Sequence, residues 1–277
     1  MKLRLPLNRA VGSGLVALSA GLVRDAAEQL AEVAVKSIAS VHRARVALKR
    51  ARSALRLLEK AGAAWAIMPR YRLAELGGRM SLARENAVAA ALARKISRQL
   101  RGREREMAAL LAARPGPLMP PNAEEIGPAL LAEARSLAAA PAPEISPAQL
   151  RSLLRQSLDR TSRRYYTAVN KPTLESVHEW RKAVIILRDQ TTLAAARWPR
   201  GAGIAQPLLV RLARRLGRRG DLALLVRRLQ RRRVPPALAA ARWRLIARLE
   251  EQCALATLGA LVLWLPLESR LTRLLAE

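Results

Sequence analysis

One short segment of the chain carries a histidine and four basic side chains at spacings that suit the binding of a polyanion. The five residues are three or four positions apart, so on an α-helix they lie along one face; they are His42, Arg45, Lys49, Arg52 and Arg56. At ~1.5 Å per residue, this row is about 20 Å long. Guanidinium groups donate paired hydrogen bonds to phosphate oxygens, and a lysine ammonium acts as a point charge. The spacing therefore predicts a helix that binds a long, repetitive anion.

A second segment repeats this pattern. His178 lies 136 residues after His42 (178 − 42), and basic residues follow it at Arg181, Lys182 and Arg188. Two more pairs keep the same offset, namely Arg79 with Arg215 and Glu85 with Asp221. A shared offset at three places predicts an internal duplication. A duplicated helical chain predicts in turn a pseudo-two-fold pair of helical bundles of the four-helix type.

The second copy of the stripe is interrupted. Ile185 lies between Arg181 and Arg188, where the first copy has Lys49. An apolar side chain donates no hydrogen bond to a phosphate oxygen. The interruption predicts that the first repeat makes more of the ligand contacts than the second.

The elements that position these stripes are predicted to be helices throughout, which makes the fold class all-α. Apolar residues recur with a period near 3.6, and the alternation typical of strands is absent. Glycine and proline fall between the periodic segments. The predicted helices span 12–36, 40–61, 70–81, 84–113, 123–139, 147–169, 174–196, 204–219, 221–233 and 236–275, the last with an interruption.

Proline-rich stretches divide the predicted helices into two halves. They lie at 114–121 and 141–147 and separate an N-terminal repeat, 1–120, from a C-terminal repeat, 146–277. Hydroxyl and amide side chains that suit helix N-termini stand near these boundaries. The expected N-terminal caps are Asn122, Ser146 and Thr173.

The charge balance points to an anionic partner. The chain has 50 lysines and arginines against 21 aspartates and glutamates, a formal net charge of +29. A bias in composition would explain why arginine outnumbers lysine, but it does not explain the shortage of acidic residues. Charge alone leaves nucleic acid, an anionic membrane and polyphosphate as candidates. The single Cys253 excludes an intrachain disulfide and a cysteine-based metal site.

Two apolar segments raise the question of a signal sequence or a membrane span. Ala10–Val23 follows basic residues, a pattern shared by signal peptides and by a first amphipathic helix, and the lack of a composition break after Ala20 favours the helix. The segment Cys253–Leu267 is shorter than the ~20 residues that span a bilayer, and Pro266 interrupts it. We therefore expect a buried C-terminal helix and no membrane span.

These motifs resemble those of the conserved-histidine α-helical domain (CHAD) family over essentially the whole chain. The family's first motif, His-x-x-Arg-Val-x-x-(Lys/Arg)-Arg-x-Arg, is matched by His42, Arg45, Val46, Lys49, Arg50 and Arg52. Its second motif, His-x-x-Arg-Lys-x-x-Lys-x-x-Arg, is matched by His178, Arg181, Lys182 and Arg188, with Ile185 in place of a basic residue. The family's Arg-Asp pair after a glycine-containing helix corresponds to Arg84-Glu85 and Gly220-Asp221.

The resemblance implies a single all-helical domain over residues 1–277, with two four-helix bundles around a basic central surface. It also implies binding of inorganic polyphosphate and association with polyphosphate granules in the cytoplasm. No cofactor and no metal site are expected. The residues expected to bind polyphosphate are His42, Arg45, Lys49, Arg50, Arg52, Arg56, His178, Arg181, Lys182, Arg188, Arg79 and Arg215.

The leading hypothesis is a non-enzymatic polyphosphate-binding module, and two alternatives stay open. A nucleic-acid binder could use the same basic surface, although aromatic residues make up only 3% of the chain and offer little for base stacking. A phosphohydrolase or phosphotransferase would need carboxylates that hold a metal, and no such cluster stands beside either histidine in the sequence. His42 and His178 either donate hydrogen bonds to phosphate or serve as structural residues.

Overall fold

The described part of the chain folds into ten α-helices and one short 3-10 turn, without a strand. A computed structural model of the protein describes residues 4–31, 38–113, 116–117, 120 and 123–276. The all-α prediction is confirmed. The helices are α1 (Val11–Ala31), α2 (Ile38–Lys60), α3 (Ile67–Arg79), α4 (Ser81–Ser97), α5 (Gly102–Ala113), α6 (Ala123–Ala138), α7 (Pro147–Asn170), α8 (Leu174–Ala194), α9 (Pro199–Arg231) and α10 (Pro236–Ala276), and the turn is Ala64–Ala66.

Two of the expected helix caps are present. The Ser146 hydroxyl accepts a hydrogen bond from the Gln149 amide at 3.1 Å before α7. The Thr173 hydroxyl likewise accepts one from the Ser176 amide at 3.1 Å before α8. Each bond satisfies an amide that has no partner within its helix. The expected cap at Asn122 and the end of the first predicted helix, 32–36, lie outside the described residues.

Three predicted helix boundaries are wrong. The predicted helix 84–113 is two helices, α4 and α5, because the chain turns before Gly102, whose φ of 55° is in the left-handed region. The predicted helices 204–219 and 221–233 form one continuous helix, α9. α10 is also continuous, with Pro266 inside it. That proline leaves one carbonyl of the preceding turn without its helical partner, on a face of α10 that water can reach.

Two four-helix regions share one large apolar core. The N-terminal bundle consists of α1, α2, α3 and α6, so the segment expected to be a first amphipathic helix packs against both α2 and α6. The C-terminal bundle consists of α7, α8, the first half of α9 and the second half of α10. Its centre is aromatic: the Trp180 ring lies 5.3 Å from Tyr165 and 6.3 Å from Trp264, measured between centroids. Both tryptophans are fully buried.

A third packing region, the distal cluster, joins helices from the two halves of the chain. α4 and α5 pack against the second half of α9 and the first half of α10 around a smaller apolar core. α9 and α10 therefore each run from the C-terminal bundle into the distal cluster.

Corresponding helices of the two halves keep the offset of 136 residues. α1 begins at Val11 and α7 at Pro147, while His42 in α2 corresponds to His178 in α8. The packing partners also correspond, since α1 packs on α2 and α6 as α7 packs on α8 and α10. An internal duplication predicts both features. The pseudo-two-fold axis and the division into 1–120 and 146–277 stay predictions, and α6, which falls between those ranges, belongs to the N-terminal bundle.

α10 differs from the buried C-terminal helix expected for its apolar run. Ala260, Trp264 and Leu267 are buried, but several large apolar side chains on its other face are exposed. By length and composition alone, α10 is the one helix among the described residues that could cross a membrane. The expectation of no membrane span therefore stays a prediction.

Candidate polyanion-binding groove

Two adjoining cavities of about 470 and 490 Å³ lie where α2, α4 and α8 come together. We call them together the basic groove. The first cavity also reaches Gln206 on α9, and the second reaches Arg160 and Arg164 on α7. Side chains of five helices thus line the groove. The residues that line both cavities are Arg45, Lys49, Arg84, Arg181 and Ile185.

α2 forms the cationic wall that its sequence predicts. Ala44, Ala51 and Leu55 are buried in the apolar core, which fixes the rotation of the helix and turns the opposite face to the groove. The Arg45 guanidinium also donates a hydrogen bond to the Gly77 carbonyl oxygen at the end of α3. The α2 residues that line the groove are His42, Arg45, Lys49, Arg50, Arg52 and Arg56.

α8 forms the other wall and brings the second motif opposite the first. His178, Arg181, Lys182 and Arg188 all line the groove. The Arg181 guanidinium packs beside Gly220 on α9, where an added Cβ would lie only 3.0 Å from its Nη1 atom. Glycine at this position therefore permits the Arg181 guanidinium to approach the α9 backbone closely, and α9 continues through it.

Ile185 lies within the cationic lining, as the interrupted second stripe predicts. Its side chain is half-buried, packs against the large apolar core and lines both cavities. The middle of the α8 wall therefore offers no charge to a ligand.

Carboxylates already pair with several of the α8 cations. Arg188 contacts the buried carboxylate of Asp189 at 2.6 Å, and Lys182 contacts Glu179 at 2.6 Å. Burial raises the pKa of Asp189, while the neighbouring Arg188 and Arg50 act in the opposite direction. The ion pair with Arg188 therefore neutralises part of the positive charge at this end of the groove.

A further ion pair crosses between helices of the two repeats. The Arg84 guanidinium on α4 lies 3.3 Å from the Asp221 carboxylate on α9. Both belong to the offset pairs that the sequence singles out, Arg84-Glu85 and Gly220-Asp221. The pair holds Arg84 at a position where it also lines both cavities.

The cations of the groove perturb one another strongly. Partial loss of water within the groove, followed by the charges of Arg45, Arg181, Arg84 and Arg52, lowers the pKa of Lys49 to about 8. Desolvation and the nearby Arg160 lower the pKa of Arg56 to about 10. These shifts reflect loss of water first and the repulsion of neighbouring cations second, and a bound anion would relieve that repulsion.

Both histidines experience the same potential. Partial burial, then the charge of Arg84 and Lys49, lowers the pKa of His42 below 6.5. Partial burial, then Lys182 and Arg181, lowers the pKa of His178 in the same way. In the free protein at neutral pH the two imidazoles are therefore uncharged, and a bound polyanion would favour their protonated, doubly donating form.

Two of the residues predicted from the sequence lie away from the groove. Arg79, at the end of α3, forms an ion pair of 2.7 Å with Glu125 on α6. The Arg215 guanidinium packs against Gly259 on α10. Neither side chain lines the two cavities, so their proposed contact with ligand has no support in the geometry.

The groove contains residues that the sequence analysis did not include among the ligand contacts. Arg84 stands in a motif that was recognised, and Arg160 and Arg164 are spaced by four on α7, which is a signal for one helical face. The same two arginines also line an adjacent cavity of about 580 Å³ with Lys60 and Arg163. A basic surface therefore continues from the groove across α7.

Metal-binding geometry is missing from the described part of the chain. No group of three histidine, cysteine, aspartate or glutamate side chains there is placed to hold a metal ion. Three acidic residues at or near the groove, Asp189, Asp221 and Glu179, are instead paired with arginine or lysine.

Comparison with known proteins gives the class of protein to which this fold and groove belong. The sequence profile of the CHAD domain matches residues 18–230, which is most of the chain. The chain therefore belongs to the CHAD domain family, as its two histidine motifs predict. Membership supports a polyphosphate-associated role.

The fold agrees with that of a solved family member. The crystal structure of the CHAD domain from the plant Ricinus communis is similar to this chain with a TM-score of 0.67 and 18% sequence identity. The similarity covers 94% of this chain and 94% of that one. At this identity the likeness shows a common fold. No curated protein matches the chain.

Proposed function

We propose that the protein binds inorganic polyphosphate in the basic groove without chemical conversion of the polymer. The observation that carries this proposal is the dense cationic lining to which both histidine motifs contribute. Family membership adds the polyphosphate-associated role.

The chemistry of the lining suits an unbranched phosphate chain. Such a chain has about one negative charge per phosphate and no base edges, so charge density and paired oxygen contacts must provide the recognition. Arg52 and Arg181 offer planar guanidinium groups for two oxygens at once, whereas Lys49 offers a point charge. His42 and His178 add hydrogen-bond donors at the two walls.

The same lining favours polyphosphate over nucleic acid. Proteins that hold single strands stack bases on aromatic rings, and no aromatic side chain lines either cavity of the groove in the described residues. Two of the larger aromatic residues, Trp180 and Trp264, are buried in the C-terminal bundle instead.

The ion pairing of acidic residues at the groove supports a protein that binds polyphosphate without hydrolysing it. Hydrolysis of phosphoanhydrides commonly uses a metal held by carboxylates. Asp189 and Asp221 are each paired with an arginine, and the described residues contain no ready metal cluster. We infer in addition that the protein acts in the cytoplasm at polyphosphate granules, where a highly basic surface would meet its ligand at high concentration.

Competition binding tests the proposal. With labelled DNA or RNA bound to the purified protein at about 0.15 M salt, we expect long-chain polyphosphate to displace the nucleic acid at equal phosphate concentration. Failure to displace it would identify the nucleic-acid binder as the better description. Orthophosphate release in the presence of a divalent metal would contradict the non-enzymatic proposal.

A pair of charge-matched variants distinguishes binding in the groove from non-specific attraction by the net charge. R45A/K49A/R52A removes three cations of α2 that line the groove, and R98A/R101A/R105A removes three exposed cations of the α4–α5 region. We expect the first variant to lose at least tenfold in affinity, since one charge-assisted hydrogen bond contributes about 1.5 kcal/mol or more. Equal losses in the two variants would show non-specific attraction and overturn the proposed site.

A further inference from the structure

A row of exposed apolar side chains runs along α10. Leu255, Leu258, Val262 and Leu265 retain 60%, 58%, 73% and 51% of their accessible surface. Their spacings of three, four and three residues place them on one face, as the two apolar positions of a heptad are placed in a coiled coil. Exposed apolar rows of this length are typical of interaction surfaces.

The opposite face of α10 holds the helix in the fold. Ala260, Trp264, Leu267 and Leu271 are buried in the C-terminal bundle, and α10 packs there against α7 and α9. Insertion of α10 into a bilayer would remove these side chains from the core that they complete. The exposed row is therefore better suited to a partner that approaches α10 from outside the fold.

The charges at the two ends of the row indicate which partner fits. Exposed Glu250 and Glu251 precede Leu255 by about one turn, and exposed Arg270 and Arg273 follow Leu265 by one to two turns. A second α10 that lies antiparallel to the first would place its basic end beside the acidic end of the first. A parallel α10 would place like charges together at both ends.

We propose that α10 pairs with α10 of a second copy of this chain in an antiparallel arrangement, with a two-fold axis near Ala260. Leu255 then faces Leu265 of the second copy, and Leu258 faces Val262 of the second copy. The glutamates and arginines form two equivalent charged ends, as a two-fold interface requires. This proposal does not depend on the ligand of the groove.

Sedimentation equilibrium of the purified full chain tests the pairing. We expect the wild-type protein to be dimeric at micromolar concentrations and the variant L258E/V262E to be monomeric, with an unchanged helical content by circular dichroism. The control L131E/L174E adds the same two charges at exposed leucines of α6 and α8 and should remain dimeric. A monomeric wild-type protein over this range would overturn the proposal.

Charge exchange tests the antiparallel arrangement. E250R/E251R makes both ends basic and R270E/R273E makes both ends acidic, so each variant should dissociate at a higher concentration than the wild type. The variant with all four substitutions restores opposite charges in the antiparallel pair and should dimerise like the wild type. If the fourfold variant is as weak as the double variants, the antiparallel pair is wrong.

Discussion

Lys49 is a groove cation whose pKa falls close to physiological pH. Its side chain lies among Arg45, Arg52, Arg84 and Arg181, and its pKa falls to about 8 through partial loss of water and the repulsion of these cations. An ordinary lysine with a pKa of 10.5 keeps its proton throughout the physiological range. Lys49 can therefore lose its proton near physiological pH, and we expect it to link ligand affinity to pH.

We expect polyphosphate affinity to fall as the pH rises through 8. Protonated Lys49 attracts phosphate and the neutral amine does not, and at pH 9 only about a tenth of a group with a pKa of 8 remains protonated, so we expect a loss of up to about tenfold relative to pH 7. Titration calorimetry across this range measures the slope. K49R keeps its charge and should lose the part of the fall that is centred on pH 8, and an equally steep fall between pH 8 and 9 for K49R would contradict the assignment.

The stability of the free protein should change in the opposite direction. Lys49 releases its proton at about pH 8 in the folded chain and near 10.5 in the unfolded chain. Between these values the unfolded state binds more protons, so the free energy of unfolding rises with pH. Urea denaturation should show this rise in the wild type and a smaller one in K49R, whose side chain stays charged in both states.

Whether a residue lines the groove could be predicted only where the rotation of its own helix determines the direction of its side chain. The stripe from His42 to Arg56 could be predicted because the buried positions of α2 fix its rotation. Arg160 and Arg164 could not, since they reach the groove through the packing of α7 beside α2. Arg79 and Arg215 were chosen by their offset, which does not tell where a side chain points.

At the scale of elements, the two walls of the groove differ in how many of their cations are paired with carboxylates. α2 presents Arg45, Lys49 and Arg52 without a carboxylate neighbour on the same helical face. On α8, Lys182 is paired with Glu179 and Arg188 with Asp189, and Ile185 stands between the cations. An incoming phosphate must compete with directly paired carboxylates on α8, whereas on α2 it meets the longer-range attraction of Glu85 for Arg45.

We expect R45A/K49A/R52A to weaken polyphosphate binding more than R181A/K182A/R188A. Each variant removes three cations, so each serves as the charge-matched control of the other. Most of the loss in the α8 variant should come from Arg181, which lines both cavities, and K182A alone should change the affinity little. Direct binding measurements that give equal losses for the two triple variants would refute the argument from Ile185.

Two helix boundaries show why the local sequence alone does not predict where helices end. The sequence prediction ended a helix at Gly220 and ran one through Gly102, and both assignments are wrong: Gly102 adopts a left-handed conformation between two helices, whereas Gly220 remains helical and admits Arg181. The residue type is the same, and the tertiary neighbour decides whether the helix continues. The two bundles could be predicted from the internal duplication, whereas the distal cluster depends on contacts between the two halves that the sequence does not reveal.

At the scale of the whole molecule, the net charge of +29 opposes the compact state. The groove concentrates part of this charge between three packing regions. A polyanion that binds only the folded chain must therefore stabilise it, both by mass action and by the relief of repulsion.

Polyphosphate should raise the midpoint of thermal unfolding by several degrees. A ligand at a hundred times its Kd stabilises by about 2.7 kcal/mol, whereas orthophosphate at equal phosphate concentration should have a smaller effect because it cannot span the groove. Differential scanning fluorimetry of the wild type and R45A/K49A/R52A gives the comparison. A shift of the same size in both proteins would show that general screening of charge is responsible.

The two sides of the molecule differ in helix continuity. α3 ends at Arg79 and α4 begins at Ser81, so the helical path breaks at Met80, whereas α9 crosses the equivalent place without interruption. The C-terminal bundle and the distal cluster thus share one continuous helix, whereas Met80 interrupts the path from the N-terminal bundle to the distal cluster. We therefore expect that a thicker ligand, such as a hydrated or cation-coated chain, is accommodated by bending at Met80, which would widen the gap between the walls from the α2 side.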